Sequence, residues 1–173
     1  EIARKHRCVI VLDEAYSFGM TGENGGGLAV ELGLERDVHF RTVSLAKALG
    51  GSGGLIITSN TVGQALPFWM RPSVFSSAPP PANSAGNNAA LSVVEREPRR
   101  AMQAQAMAGH FRDILAGRGI DTGPSACQIV SLRFKGEDDA CLVYEALMKR
   151  KILTAVFLAP AVPAGSSLLQ FSF

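Results

Sequence analysis

In the first third of the chain, short β-branched runs are separated by glycine-rich breaks, and from about residue 83 the apolar positions settle into helical spacing. Cys8-Val-Ile-Val-Leu12 is an unbroken apolar run ending at Asp13. That pattern predicts a strand buried on both faces in a parallel sheet, with its polar successors at the carboxyl edge where open α/β sheets bind ligands. Ile2, Ala3 and His6 lead straight into it and read as the end of a helix. Gly19, Gly22 and Gly25 to Gly27 mark a turn-rich loop, followed by a short helical piece over 28–34 and a strand over 39–43. A second glycine-punctuated loop, 44–54, precedes a third strand at 55–58.

Beyond the proline-bounded segment 67–81, small and apolar residues predict a helix over 83–94, and Pro98 is placed to open another that stops near Gly117 or Gly119. The remainder reads as a small α+β unit with a strand over 128–134, a helix over 138–149 and strands over 153–158 and 168–173. There is no internal repeat. Both ends read as cut, because the chain starts within a helix and stops on a strand-like run.

Composition narrows the function classes. Apolar residues make up 47% and charged residues 18%, which predicts a folded globular chain. The net charge of +2 is small, and the one basic group, Arg96, Arg99 and Arg100, is interleaved with Glu95 and Glu97, so nothing favours nucleic acid. No apolar run is long enough to span a bilayer and the N-terminus lacks a signal-peptide core, which predicts a cytoplasmic protein. Cys8, Cys127 and Cys141 are widely spaced in apolar surroundings and read as buried, reduced thiols. With His6, His39 and His110 they offer no metal-ligand spacing, so no metal site is predicted.

Two groups carry candidate chemistry. Asp13-Glu-Ala-Tyr16 sits at a strand end, where a carboxylate needs a cation or hydrogen-bond donors. A protonated pyridine nitrogen, a helix cap and a metal are all compatible partners. Lys47 stands alone among Ala46, Ala48, Leu49 and glycines. An apolar, partly desolvated loop would favour its neutral amine and Schiff-base chemistry, whereas the alternative is an ordinary lysine in solvent. Ser44 lies three residues before it, and a hydroxyl with glycine N–H groups suits a phosphate, although the spacing is not that of a Walker loop.

The order Asp13-Glu-Ala-Tyr-Ser, the glycine loop, then Ser44-Leu-Ala-Lys-Ala-Leu-Gly-Gly51 resembles the fold-type I pyridoxal-phosphate (PLP) enzymes, and among them the α-oxoamine synthases. Within that family, His39-Phe-Arg-Thr-Val-Ser-Leu-Ala-Lys47 and Phe75-Ser-Ser-Ala78 look most like the synthases of long-chain α-hydroxyketone autoinducers. The likeness continues through Cys127-Gln-Ile-Val130 to Ser167-Leu-Leu-Gln-Phe-Ser172.

The resemblance implies an α/β fold of the type I PLP-dependent transferases. Residues 1–82 would be the C-terminal part of a PLP-binding large domain with a mostly parallel sheet. Residues 83–173 would be linking helices and a small C-terminal α+β domain, truncated at its end. It further implies that pyridoxal 5'-phosphate is carried on Lys47, that Asp13 pairs with the pyridine nitrogen, and that Ser44 holds the phosphate. Ser76 and Ser77 would reach the phosphate of a neighbouring subunit in a homodimer, and the substrates would be an amino acid and an acyl-CoA.

Two residues depart from the family pattern. Tyr16 stands where a histidine usually contacts the cofactor's phenolic oxygen, and a tyrosine hydroxyl can still make that bond. Gln170 replaces the arginine that binds the substrate carboxylate, which implies weaker binding or a different substrate. An aminotransferase remains an alternative, since Asp13 and Lys47 serve both reactions, as does a non-catalytic homologous subunit. The family's ring-stacking histidine and glycine-rich phosphate site lie upstream of this chain, so the 173 residues alone are predicted to be inactive.

Overall fold

A computed structural model describes residues Glu1–Phe173. The chain divides into two compact units, Glu1–Ala101 and Met102–Phe173.

In the first unit, α1 (Ile2–His6) ends at Arg7, whose φ of 50° turns the chain into β1 (Val11–Asp13). After the glycine loop come α2 (Leu28–Glu31), β2 (Phe40–Ser44) and β3 (Gly54–Thr58). The sheet order is β1-β2-β3, with β1 and β2 parallel and β2 and β3 antiparallel. Within this chain β1 pairs only with β2, and Val11 is 64% exposed, where the apolar run suggests burial on both faces. An apolar run fixes the strand, but burial on two faces also needs layers packed on both sides of it.

Two helices follow that were not anticipated, α3 (Asn60–Trp69) and α4 (Arg71–Phe75). Proline usually interrupts a helix. Yet Pro72 occupies the first turn of α4, where a missing N–H costs nothing, and Pro67 falls close to the end of α3. Phe68, Trp69 and Phe75 on these helices are all more than 80% exposed. The helix α5 (Pro81–Arg96) then packs on the glycine loop.

α6 (Arg99–Ala116) starts one residue beyond Pro98. At the join, Glu97 accepts a hydrogen bond from Arg100 at 3.0 Å and pairs with Arg99 at 3.6 Å. Arg100 holds the Glu97 carboxyl below the ordinary glutamate range. A depressed carboxyl stabilises the folded chain above its unfolded pKa, and this contribution disappears as pH falls through the folded value. A carboxyl-carbon NMR titration is expected to place the Glu97 midpoint below 4.5 and to move it back towards that value in Arg100→Ala.

The second unit is an antiparallel sheet in the order β4-β6-β5, built from β4 (Ile129–Phe134), β5 (Ala155–Phe157) and β6 (Ser167–Ser172), with α7 (Glu137–Lys149) between β4 and β5. Period-two alternation sends Val130 and Leu132 inward opposite Phe171 and Leu169. Helical spacing brings Ala108, Phe111 and Leu115 of α6 onto the same core. Phe111 packs against Phe171 and Phe173 with ring centroids 5.1 and 5.5 Å apart. α6 ends where the Ile120 N–H returns to the Leu115 carbonyl across Gly119, at φ 72°.

All three cysteines are free, but Cys8 and Cys127 are exposed and Cys141 is half-buried, which corrects the expected burial. Cys8 follows the exposed end of α1, and Cys127 lies in the turn before β4, so neither apolar neighbourhood closes over the thiol. No helix is long and apolar enough to cross a membrane.

Candidate functional site

The parallel pair β1–β2 delivers two loops to one end of the sheet. Asp13 is level with Thr42, and the Glu14 N–H donates to the Thr42 carbonyl at 2.8 Å. Strand alternation then separates the two acids, leaving Asp13 exposed while Glu14 is only 1% exposed. Asp13 Oδ1 accepts the Ala15 N–H at 2.8 Å, a local turn that fixes the carboxylate's orientation.

Glu14 points inward and makes a buried ion pair with Arg41, which with Val43 forms the inward side of β2. Its Oε2 accepts Arg41 Nε–H, its Oε1 accepts the Ala29 N–H at 2.9 Å, and Arg41 Nη2 donates to the Gly26 carbonyl. The glycine loop is thus folded down over the pair. Gly27 has φ 94°, and a Cβ there would lie 2.7 Å from Glu14 Oε1, so both its backbone and the available space exclude a side chain. Glu14 and Arg41 were not anticipated as a pair. Alternation through Asp13-Glu14 and through Phe40-Arg41-Thr42 is the signal that would have found them.

The second loop, 45–53, carries Lys47. Its ends are closed by the Leu45 N–H on the Gly53 carbonyl at 3.0 Å and the Gly51 N–H on the Leu45 carbonyl at 2.8 Å. Leu45 and Leu49 are buried and anchor it, while Ala46, Lys47 and Ala48 between them face outward. Within this chain the expected desolvation of Lys47 is not seen: Ala46 and Ala48 are exposed along with it, and of the apolar neighbours that suggested it only Leu49 is buried. Lys47 Nζ donates to the Tyr16 hydroxyl at 3.0 Å and lies 4.7 Å from the centre of the Tyr16 ring.

The two loops touch. A Cβ on Gly19 would fall 2.9 Å from Ala48 Cβ, and one on Gly25 would fall 2.5 Å from Val94 Cγ1 of α5. From α5 as well, Asn87 Oδ1 accepts the Ser52 N–H at 3.3 Å and Asn87 Nδ2 donates to the Ser52 carbonyl at 3.0 Å. Neither Asn87 nor this contact was anticipated.

Of the remaining anticipated residues, Ser44 closes β2 opposite Gly54 and is half-buried, at the same sheet end as Lys47. Ser76 turns its hydroxyl back to the Pro72 carbonyl of α4, and Ser77 is exposed. Gln170 belongs to the second unit, on β6 opposite Ser131 and Ala155, and its Nε2 donates to Ser172 Oγ at 3.2 Å.

The family model described as aminotransferase class I and II matches residues 1–172. Among curated proteins, the chain is 34% identical to the 8-amino-7-oxononanoate synthase of Anaeromyxobacter dehalogenans, over 98% of this chain and 43% of that protein. It is 33% identical to the CAI-1 autoinducer synthase of Vibrio campbellii, over 99% of this chain and 44% of that protein. Among solved structures, the serine palmitoyltransferase of Sphingomonas wittichii superposes with a TM-score of 0.92 at 25% identity, covering 99% of this chain and 44% of that one. A structure of SPT with PLP gives a TM-score of 0.92 at 26% identity with the same coverage, 99% and 44%. The chain spans less than half the length of the curated relatives it matches.

Proposed function

The chain belongs to the aminotransferase class I and II family, and from that premise we propose that it is the lysine-bearing part of a pyridoxal 5'-phosphate enzyme of the α-oxoamine synthase type. The proposed reaction joins an amino acid to an acyl-CoA with loss of carbon dioxide. The observation that carries this reading is the Lys47 Nζ to Tyr16 hydroxyl contact of 3.0 Å, at the sheet end where Asp13 also emerges.

The donor set fits the group. An amine, a phenol, a carboxylate and a hydroxyl at the carboxyl ends of parallel strands match an aldehyde, a phenolic oxygen, a ring nitrogen and a phosphate. Pyridoxal phosphate, when bound, supplies an electron-accepting ring for the charge that develops on the amino acid's α-carbon.

Asp13, oriented by the Ala15 N–H and otherwise exposed, would accept the proton-bearing ring nitrogen. Lys47 would anchor the cofactor and, once displaced by the incoming amino acid, take and return the α-proton. Tyr16 would hold that amine and the cofactor's phenolic oxygen. Ser44 would grip the phosphate, and Ser76 and Ser77 would serve the phosphate of a neighbouring subunit in a homodimer. Gln170 would meet the substrate carboxylate with hydrogen bonds and no charge.

We place the protein in the cytoplasm, with no nucleic-acid partner. The 173 residues alone are proposed to be inactive, a reading supported by the exposed apolar side chains of Val11, Trp69 and Phe75. In the full-length protein, an amino acid and an acyl-CoA together are expected to yield free CoA thiol and carbon dioxide. Formation of a keto acid without CoA release would sink the synthase reading in favour of an aminotransferase.

A further inference from the structure

We propose that Asn87 is a positioning residue for Lys47, clamping the lysine loop through both backbone groups of Ser52. One carboxamide accepts from the Ser52 N–H at 3.3 Å and donates to the Ser52 carbonyl at 3.0 Å, so it completes for that residue the pairing a neighbouring strand would give. The approach is close: a Cβ on Gly51 would lie 2.0 Å from Asn87 Oδ1. Glycine at 51 thus leaves the space that lets the carboxamide reach the backbone.

Two further contacts make the clamp bear on Lys47. The Gly51 N–H closes onto the Leu45 carbonyl at 2.8 Å, and the Gly50 N–H closes onto the Lys47 carbonyl at 3.0 Å. Ser52 therefore sits at the base of a turn whose outward point is Lys47, and fixing Ser52 fixes where the amine meets Tyr16. The helix gains nothing locally from Asn87. Asparagine is a poor helix former, and here it follows Gly86, whose missing Cβ would meet nothing within 4 Å. Its partner in space, not its own helix, accounts for the residue.

The catalytic consequence rests on the reading of Lys47 as the cofactor lysine, while the clamp itself does not. In the full-length protein, Asn87→Leu is expected to speed amide exchange at 50–53 by about tenfold or more, the loss expected for two hydrogen bonds, with β1 and β2 unchanged. It is also expected to lower kcat by about tenfold with KM little altered, the signature of a misplaced group and not of lost binding. Asn87→Asp keeps the acceptor and loses the donor, so it should fall between the two. Gly51→Ala forces the same contact apart from the other side and should reproduce the local exchange.

Unchanged exchange at 50–53 in Asn87→Leu and Gly51→Ala, or equal acceleration throughout α5 and β2, overturns the clamp. Faster local exchange with kcat unaltered overturns the positioning role. If borohydride leaves no pyridoxyl label on Lys47 in the unsubstituted protein, the cofactor reading fails, and the exchange result alone decides the clamp.

Discussion

Replacing Lys47 with alanine in the full-length protein is expected to reduce turnover by at least about a thousandfold, the upper part of the range for losing a positioned acid–base group, because the same side chain would also anchor the cofactor. The neighbouring groups cannot substitute. Tyr16 is the hydrogen-bond partner of the amine and offers only a phenol, and Ala46 and Ala48 carry nothing reactive. The check has two parts: steady-state turnover, and peptide mapping after borohydride. The unsubstituted protein should carry a pyridoxyl label on the peptide containing Lys47, and the variant should carry none. Turnover within tenfold of the unsubstituted protein would show that another residue does the work.

The second large effect concerns stability. Arg41→Met leaves the Glu14 carboxylate, which is 1% exposed, facing the Ala29 N–H with its guanidinium partner gone. Breaking a buried pair from one side costs about 3–5 kcal/mol, because the remaining charge is uncompensated. The double variant Glu14→Met/Arg41→Met is expected to recover part of that loss, since a buried pair exchanged for apolar groups is often close to neutral. Recovery should be incomplete, because the Ala29 N–H and the Gly26 carbonyl both lose a partner. Denaturant midpoints at constant slope measure all three proteins. A single variant as stable as the unsubstituted chain would mean that the pair is dispensable.

These residues also show what the sequence made legible. The β1, β2 and β3 runs and the α5 to β6 order follow from periodicity, and Asp13 and Lys47 stand out because each follows an apolar strand and precedes glycines. The physics that stayed hidden is non-local. Alternation can mark Glu14 and Arg41 each as inward, but they are separated by 27 positions and Asn87 and Ser52 by 35, and no local rule says which residue pairs with which. Burial was legible only in part, since whether Val11 or Lys47 is covered depends on layers packed outside the local run. α3 and α4 were missed for a local reason: prolines that mark breaks elsewhere here fall in a first turn and near a helix end.

The glycine loop acts as a shim. Between Ala48 on one side and Val94 on the other there is only bare backbone, Gly19 and Gly25, joined by the Gly19 N–H on the Gly25 carbonyl at 2.8 Å. Its thickness sets how near the lysine loop stands to α5, the helix that also carries Asn87. What looks like a surface turn rich in small residues is a gauge: its glycines measure a gap, and a methyl group on either face would lift Lys47 without touching it.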